Sequence, residues 1–213
     1  AELCRIGRSL HARGLVHASA GNLSARLDGG AMLLTATDAS LGTLEPAGLV
    51  RVEADGGSAP GARPSKTLAL HRRIYAEEPE AGCIVHTHAT ALVAASLAET
   101  PHGEGDDLLP PITPYFVMKV GHVPLVPYRR PGDPEVAGLV AGCIARGHAR
   151  GLPIRGVVLA RLGPVVWHRT PEEAASVLEE LEETARLWLQ ARDAAPLAPD
   201  RIEALRRAFA ARW

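Results

Sequence analysis

The stretch Cys83-Ile84-Val85-His86-Thr87-His88-Ala89-Thr90 decides how this chain is read. A short apolar run ends in two alternating histidines. Read as a strand over 82–88, it repeats its side chains every two residues, so His86 and His88 share one face. Two imidazoles close together on one face are half of a metal site. Two unrelated polar residues at a strand end are the plainer alternative. Burying both rings without a partner is costly, however, and the Ile84-Val85 lead places them at a sheet's end, where sites are commonly built.

Around this strand, helices and strands alternate irregularly. Residues 1–13 carry Leu3, Ile6 and Leu10 at helical spacing, with Gly14 as a stop. Residues 21–27 and 31–35 read as strands joined through Asp28-Gly29-Gly30, and 50–54 as a third. After a Gly/Pro-rich loop at 56–64, a helix begins near Ser65. It shows Leu68, Leu70, His71, Ile74 and Tyr75 on its period and ends at Pro79. Residues 89–97 read as a small-residue helix, 101–111 as an acidic, Pro-containing loop, and 123–127 as an edge strand marked by its prolines. Asp133 caps a helix with Pro134 in its first position and Gly147 at its end. Residues 156–160 and 163–167 form a hairpin around Arg161-Leu162. Thr170-Pro171-Glu172-Glu173 is a capping box that opens a long helix to about Arg192, and 199–213 is a last amphipathic helix. Hairpins among helices predict an α/β fold: a three-layer α/β/α sandwich with a mixed, largely antiparallel central sheet, rather than a doubly wound parallel one.

With 213 residues, 46% of them apolar, the chain suffices for a single domain, a core over 1–193 plus the C-terminal helix at 199–213. Aromatics make up only 4%, so the core is built from Ala, Val and Leu. A net charge of −1 gives no electrostatic case for a nucleic-acid or membrane partner, and none against a small-molecule substrate. Cys4, Cys83 and Cys143 are odd in number, widely spaced and without zinc-knuckle spacing. They read as reduced thiols of a cytoplasmic protein. Residues 1–14 lack the apolar core of a signal peptide, and no run of about 18 apolar residues could span a membrane.

Several other segments carry polar chemistry. Gly21-Asn22-Leu23-Ser24 lets backbone and a short amide approach an anion. Thr35-Ala36-Thr37-Asp38-Ala39-Ser40-Leu41-Gly42 is a hydroxyl-rich loop able to cradle phosphate, but Asp38 opposes one. A carboxylate about 4–5 Å from a phosphate costs on the order of 1 kcal/mol even in water. Pro64-Ser65-Lys66 sits at a helix start, where free N–H groups, a hydroxyl and an ammonium favour an anion. Tyr115, held by a Pro-rich segment, is a candidate proton donor. His168 lies five or six residues past the hairpin tip and could face the site, whereas His11, His17, His71, His102, His122 and His148 read as structural or surface residues.

Together these segments resemble the class II aldolase/adducin-head family. The resemblance runs through Ala18-Ser19-Ala20-Gly21-Asn22-Leu23-Ser24, the loop from Thr35 to Gly42, Pro64-Ser65-Lys66, His86-Thr87-His88, and Gly156-Val157-Val158-Leu159-Ala160 with Gly163-Pro164-Val165-Val166. Within the family, Ser40-Leu41-Gly42, Leu108-Leu109-Pro110-Pro111-Ile112-Thr113-Pro114-Tyr115 and Val126-Pro127-Tyr128-Arg129-Arg130-Pro131-Gly132-Asp133-Pro134 are most similar to the 3-oxo-tetronate 4-phosphate decarboxylase branch. The resemblance implies a nine-stranded-type layered fold and a homotetramer. It implies a divalent metal, zinc or another, on three histidines, with His86 and His88 as two of them. It also implies a phosphate pocket built from Asn22, Thr35, Thr37, Ser65 and Lys66. In such a site the metal polarises a carbonyl and stabilises an enediolate while a carboxylate moves protons.

The chain departs from that pattern at three places. Leu162 stands where the third histidine should precede Gly163, Thr67 where the acid/base carboxylate should follow Lys66, and Thr35-Ala36-Thr37-Asp38 where a glycine-ended phosphate loop is usual. Leucine binds no metal and threonine has no useful acid/base pKa. The first reading is a lyase or decarboxylase repurposed for an unphosphorylated carbonyl substrate, probed through Tyr115, Asp38 and Lys66 as catalytic groups. The second completes His86 and His88 with the Asp38 carboxylate, a set suited to non-haem iron or zinc. The third is a non-catalytic, adducin-like oligomeric protein.

Overall fold

A computed structural model describes residues 1–97 and 106–213. His102 and the start of the expected 101–111 loop lie outside the described residues. Seven strands form one sheet: β1 (Asn22–Arg26), β2 (Met32–Thr35), β3 (Leu49–Val52), β4 (Cys83–His86), β5 (Leu125–Val126), β6 (Gly156–Leu159) and β7 (Gly163–His168). Their order is β3-β2-β1-β4-β7-β6-β5, and every pairing is antiparallel except that of β5 with β6. The sheet therefore has seven described strands rather than nine. Around it lie α1 (Glu2–Ala12), α2 (Leu68–Glu77), α3 (Thr90–Ala95), α4 (Glu135–Ala149), α5 (Pro171–Gln190) and α6 (Pro199–Phe209).

The alternation of β4 sorts the layers. Cys83 and Val85 enter a core with Leu10 of α1, Leu92 of α3 and Leu178 of α5. Ile84 enters a second core with Ile74 of α2 and Ile144 of α4. Two apolar faces, each covered by helices, give the three-layer α/β/α sandwich that the sequence predicts. His86 continues the Ile84 side, toward α2 and α4. None of the helices is long and apolar enough to cross a membrane, among the described residues.

Several boundaries differ from expectation, for local reasons. Strand β4 ends at His86, so His88 lies beyond the ladder. Only Leu125 and Val126 of 123–127 form a ladder with β6; Pro124 makes an isolated bridge to Asp107, and neither it nor Pro127 has an N–H to extend the ladder. Helix α2 starts at Leu68, three residues after Ser65. Helix α4 continues through Gly147 to Ala149. Gly147 is a point of close approach, where a Cβ would stand 3.0 Å from the Leu152 carbonyl oxygen, and Gly151 at φ +68° makes the turn instead. A short π-helix, Phe116–Val120, follows the proline-rich segment and was not legible in the pattern.

The backbone grips β4 from both edges. Gly21 has φ +78°, and a Cβ there would sit 2.7 Å from the His86 carbonyl oxygen. Gly163 has φ +109°, and its Cβ would sit 2.4 Å from the Thr87 carbonyl oxygen. Only glycine combines those angles with that approach. Helix α3, just after His88, is tied at both ends. The buried Glu182 carboxylate of α5 accepts the backbone N–H groups of Ala91 (2.9 Å) and Leu92 (3.0 Å). Ser96 Oγ accepts the backbone N–H of Arg161 (3.0 Å) at the β6–β7 hairpin tip.

Candidate functional site

A cleft of about 270 Å³ opens at the end of β4, on the α2/α4 side of the sheet. His86 and His88 line it, with ring centroids 5.3 Å apart. Asn22 sits beside His86 because β1 pairs with β4 in the register Asn22↔His86. The turn before α2 contributes Ser65, Lys66 and Thr67, the loop after β2 contributes Thr37 and Asp38, and the segment before α4 contributes Arg130 and Asp133. Leu162, at the hairpin tip, closes the histidine end.

The two imidazoles are uncharged at neutral pH. Burial drives the pKa of His86 down to about 4. Its Nδ1 lies 2.8 Å from the Pro164 carbonyl oxygen, so Nδ1–H donates there and Nε2 is left bare. His88 is also lowered, first by burial and then by the neighbouring His17 ring, whose centroid is 6.3 Å away. Behind Asn22 lies His71, fully buried and lowered to about 3, chiefly by burial.

Most of the expected site residues meet in this cleft: Asn22, Thr37, Asp38, Ser65, Lys66, His86 and His88. Thr35 and Tyr115 do not. The Thr35 hydroxyl, 1% exposed, accepts the Leu23 N–H (3.2 Å) and faces the β1–β2 pairing instead. Tyr115 is 61% exposed and lines a separate groove with Arg13 and Lys119. His168 points to the α5 start, where its Nδ1 is 2.7 Å from Glu173. Asp38 adopts φ +64° at the rim and stands 3.8 Å from Arg63, both side chains largely exposed.

A resident metal is not matched by these donors. Among the described residues no group of three His, Cys, Asp or Glu side chains converges closely enough to hold an ion. Asp38, expected to complete His86 and His88, sits at the rim beside Arg63 and forms no such three-donor group with them among the described residues. Leu162 occupies the remaining face, and an aliphatic side chain supplies no lone pair.

The sequence reading missed two walls of the cleft. Arg130 and Asp133 belonged to a segment noted for its resemblance and for a helix cap, with no signal that it folds back over Lys66. Gly132, whose Cβ position is 3.6 Å from Lys66 Cβ, brings it there. Thr67 was noted only for what it lacks. Its hydroxyl donates to Asn22 Oδ1 at 2.9 Å.

An antiparallel-rich sheet sandwich with a histidine pair at the end of its central strand and an anion-favouring turn beside it is a class II aldolase arrangement. Residues 1–189 match the Class II Aldolase and Adducin N-terminal domain, and the chain belongs to that family. More particularly, the 3-oxo-tetronate 4-phosphate decarboxylase of Cupriavidus necator is 53% identical over 218 residues, covering 100% of this chain and 96% of its own. The crystal structure of YgbL from Escherichia coli superposes with a TM-score of 0.85 at 38% identity, covering 96% of each chain. An L-fuculose 1-phosphate aldolase at 22% identity, covering 98% of this chain and 94% of its own, shares the fold with a TM-score of 0.83.

Proposed function

We propose that the protein is a decarboxylase-type lyase for a small keto acid without a terminal phosphate, working without a three-histidine metal. Leu162 in the third-ligand position carries this reading. Thr67 and Asp38 support it from the proton-transfer and phosphate ends of the same cleft. Breaking the bond to a substrate carboxylate releases carbon dioxide and sends the electron pair to the neighbouring carbonyl oxygen as an enolate. The Lys66 ammonium stabilises that developing charge. Uncharged His88 relays a proton from water to the carbon left behind, taking one on one ring nitrogen and giving one from the other. Asp38 disfavours a phosphate by about 1 kcal/mol at 4–5 Å in water-like surroundings, roughly fivefold in affinity. Tyr115, outside the cleft in one chain, has no part in this scheme. Homotetrameric assembly belongs to the same proposal, and three buried free cysteines suit a reducing, cytoplasmic setting.

The test is carbon dioxide release from 3-oxo-tetronate and from its 4-phosphate, each with and without added zinc or manganese. Turnover of the unphosphorylated acid, indifferent to metal, is expected. Faster, metal-dependent turnover of the phosphate would overturn the reading. The Asp38–Arg63 pairing favours a second reading, a non-catalytic, adducin-like oligomeric protein, and no turnover of either acid is its signature.

A further inference from the structure

Asn22 is held from behind by two hydrogen-bond partners. Its Oδ1 lies 2.7 Å from His71 Nε2 and 2.9 Å from Thr67 Oγ1. His71 Nδ1 lies 2.7 Å from Ser24 Oγ, and Ser24 Oγ lies 2.8 Å from the Tyr75 hydroxyl. His71, Ser24, Tyr75 and Asn22 are all buried, so each proton needs an acceptor.

The direction of donation follows from proton accounting. A carbonyl oxygen only accepts, so His71 carries its proton on Nε2 and Thr67 donates its hydroxyl proton to the same Oδ1. His71 Nδ1 is then bare and accepts from Ser24, which accepts from Tyr75. Running the chain backwards would have Ser24 donate to the phenol. That leaves the buried Tyr75 O–H without an acceptor, since its other contact, at the Ile84 backbone, is an N–H that only donates to it. One direction satisfies every group, and it leaves the Asn22 amide nitrogen facing the cleft that Asn22 lines.

We propose that His71 is a positioning residue which, with Thr67, fixes the Asn22 amide nitrogen toward the cleft as a permanent donor to a ligand oxygen. This rests on the reading that the cleft holds a keto acid. With the Ser65 hydroxyl and Lys66 alongside, that wall selects an oxygen acceptor, from either a carboxylate or a phosphate. Thr67 thereby has a function of its own. A carboxylate at that position accepts rather than donates and would turn the amide round.

The chain makes the test simple, because Asn22 and Gln190 are its only carboxamide side chains. Long-range proton–nitrogen NMR of the full chain is expected to show His71 protonated on Nε2 and bare on Nδ1. The opposite tautomer overturns the proposal, whatever the protein's activity. Titration with acetate, and separately with inorganic phosphate, should then move the Asn22 amide pair and leave the Gln190 pair unmoved, acetate at lower concentration. Thr67→Val should weaken acetate binding about tenfold, and Thr67→Ser should restore it. Movement of other cleft residues with a silent Asn22 pair also overturns the proposal. If neither probe touches the cleft while His71 holds the stated tautomer, the keto-acid reading fails and the positioning role stands.

Discussion

Replacing Glu182 with alanine tests how the site is held. Glu182 is 1% exposed, and its two oxygens accept the N–H groups of Ala91 and Leu92. Arg186 lies 3.7 Å from the carboxylate but is half exposed, so it adds little. Hydrogen bonds to a charged group contribute about 1.5–3 kcal/mol each, and an orphaned buried N–H costs about 1–3 kcal/mol. Two such bonds set a loss of about 3–6 kcal/mol, a large part of the 5–15 kcal/mol that holds a typical domain folded. Glu182→Gln keeps one acceptor oxygen and should lose about half as much. Urea unfolding followed by circular dichroism measures this. With a slope of about 2–3 kcal/mol per molar, the alanine variant should shift the midpoint by more than about 1 M. Faster hydrogen exchange should appear at Ala91 and Leu92 first. A midpoint shift below about 0.3 M, or a glutamine variant as damaged as the alanine one, would refute the reasoning.

Three further outcomes are expected. His71 and His86 titrate near 3 and 4 in the fold against about 6.5 unfolded, so the unfolded chain takes up protons first as pH falls. Their contribution is complete above pH 6.5 and shrinks as pH falls below it toward the folded values; urea midpoints between pH 7.5 and 5 that stay level would contradict this. Leu162→His adds a third imidazole beside His86 and His88, and cobalt titration should give tetrahedral visible absorption in the variant but not in the natural chain. Asp38→Gly removes a charge and relaxes φ +64°, so calorimetry should show about fivefold tighter inorganic phosphate and scanning calorimetry about 0.5–1 kcal/mol more stability; weaker phosphate binding would exclude the repulsion.

The architecture was legible because its signals are periodic. Leu70, His71, Ile74 and Tyr75 mark the buried face of α2, and the alternation from Cys83 to His86 marks a doubly buried strand. The cleft was legible in part. His86, His88, Asn22 and Lys66 could be gathered because their segments resemble a known family. The partners of His71 were not legible: Ser24 and Asn22 lie 47 and 49 residues earlier, and only the stacking of α2 on the sheet brings them together. The direction of the Thr35 hydroxyl was not legible, because it depends on how β1 and β2 register, which no single strand encodes. That Tyr115 stands away from the cleft within one chain was not legible, because the π-helix that follows it has no sequence signal.

The grip on β4 has a consequence for how activity is inherited. What holds the histidines is main chain and remote anchoring: Gly21, Gly163, the Pro164 carbonyl, and Glu182 through α3. The three residues on which the proposed reaction rests, Leu162, Thr67 and Asp38, hang from that frame as side chains lining the cleft. On that proposal the frame can pass from one reaction to another through a few single-residue exchanges that leave β4 and its anchors in place. Overall identity to a relative counts the frame many times and the reaction hardly at all.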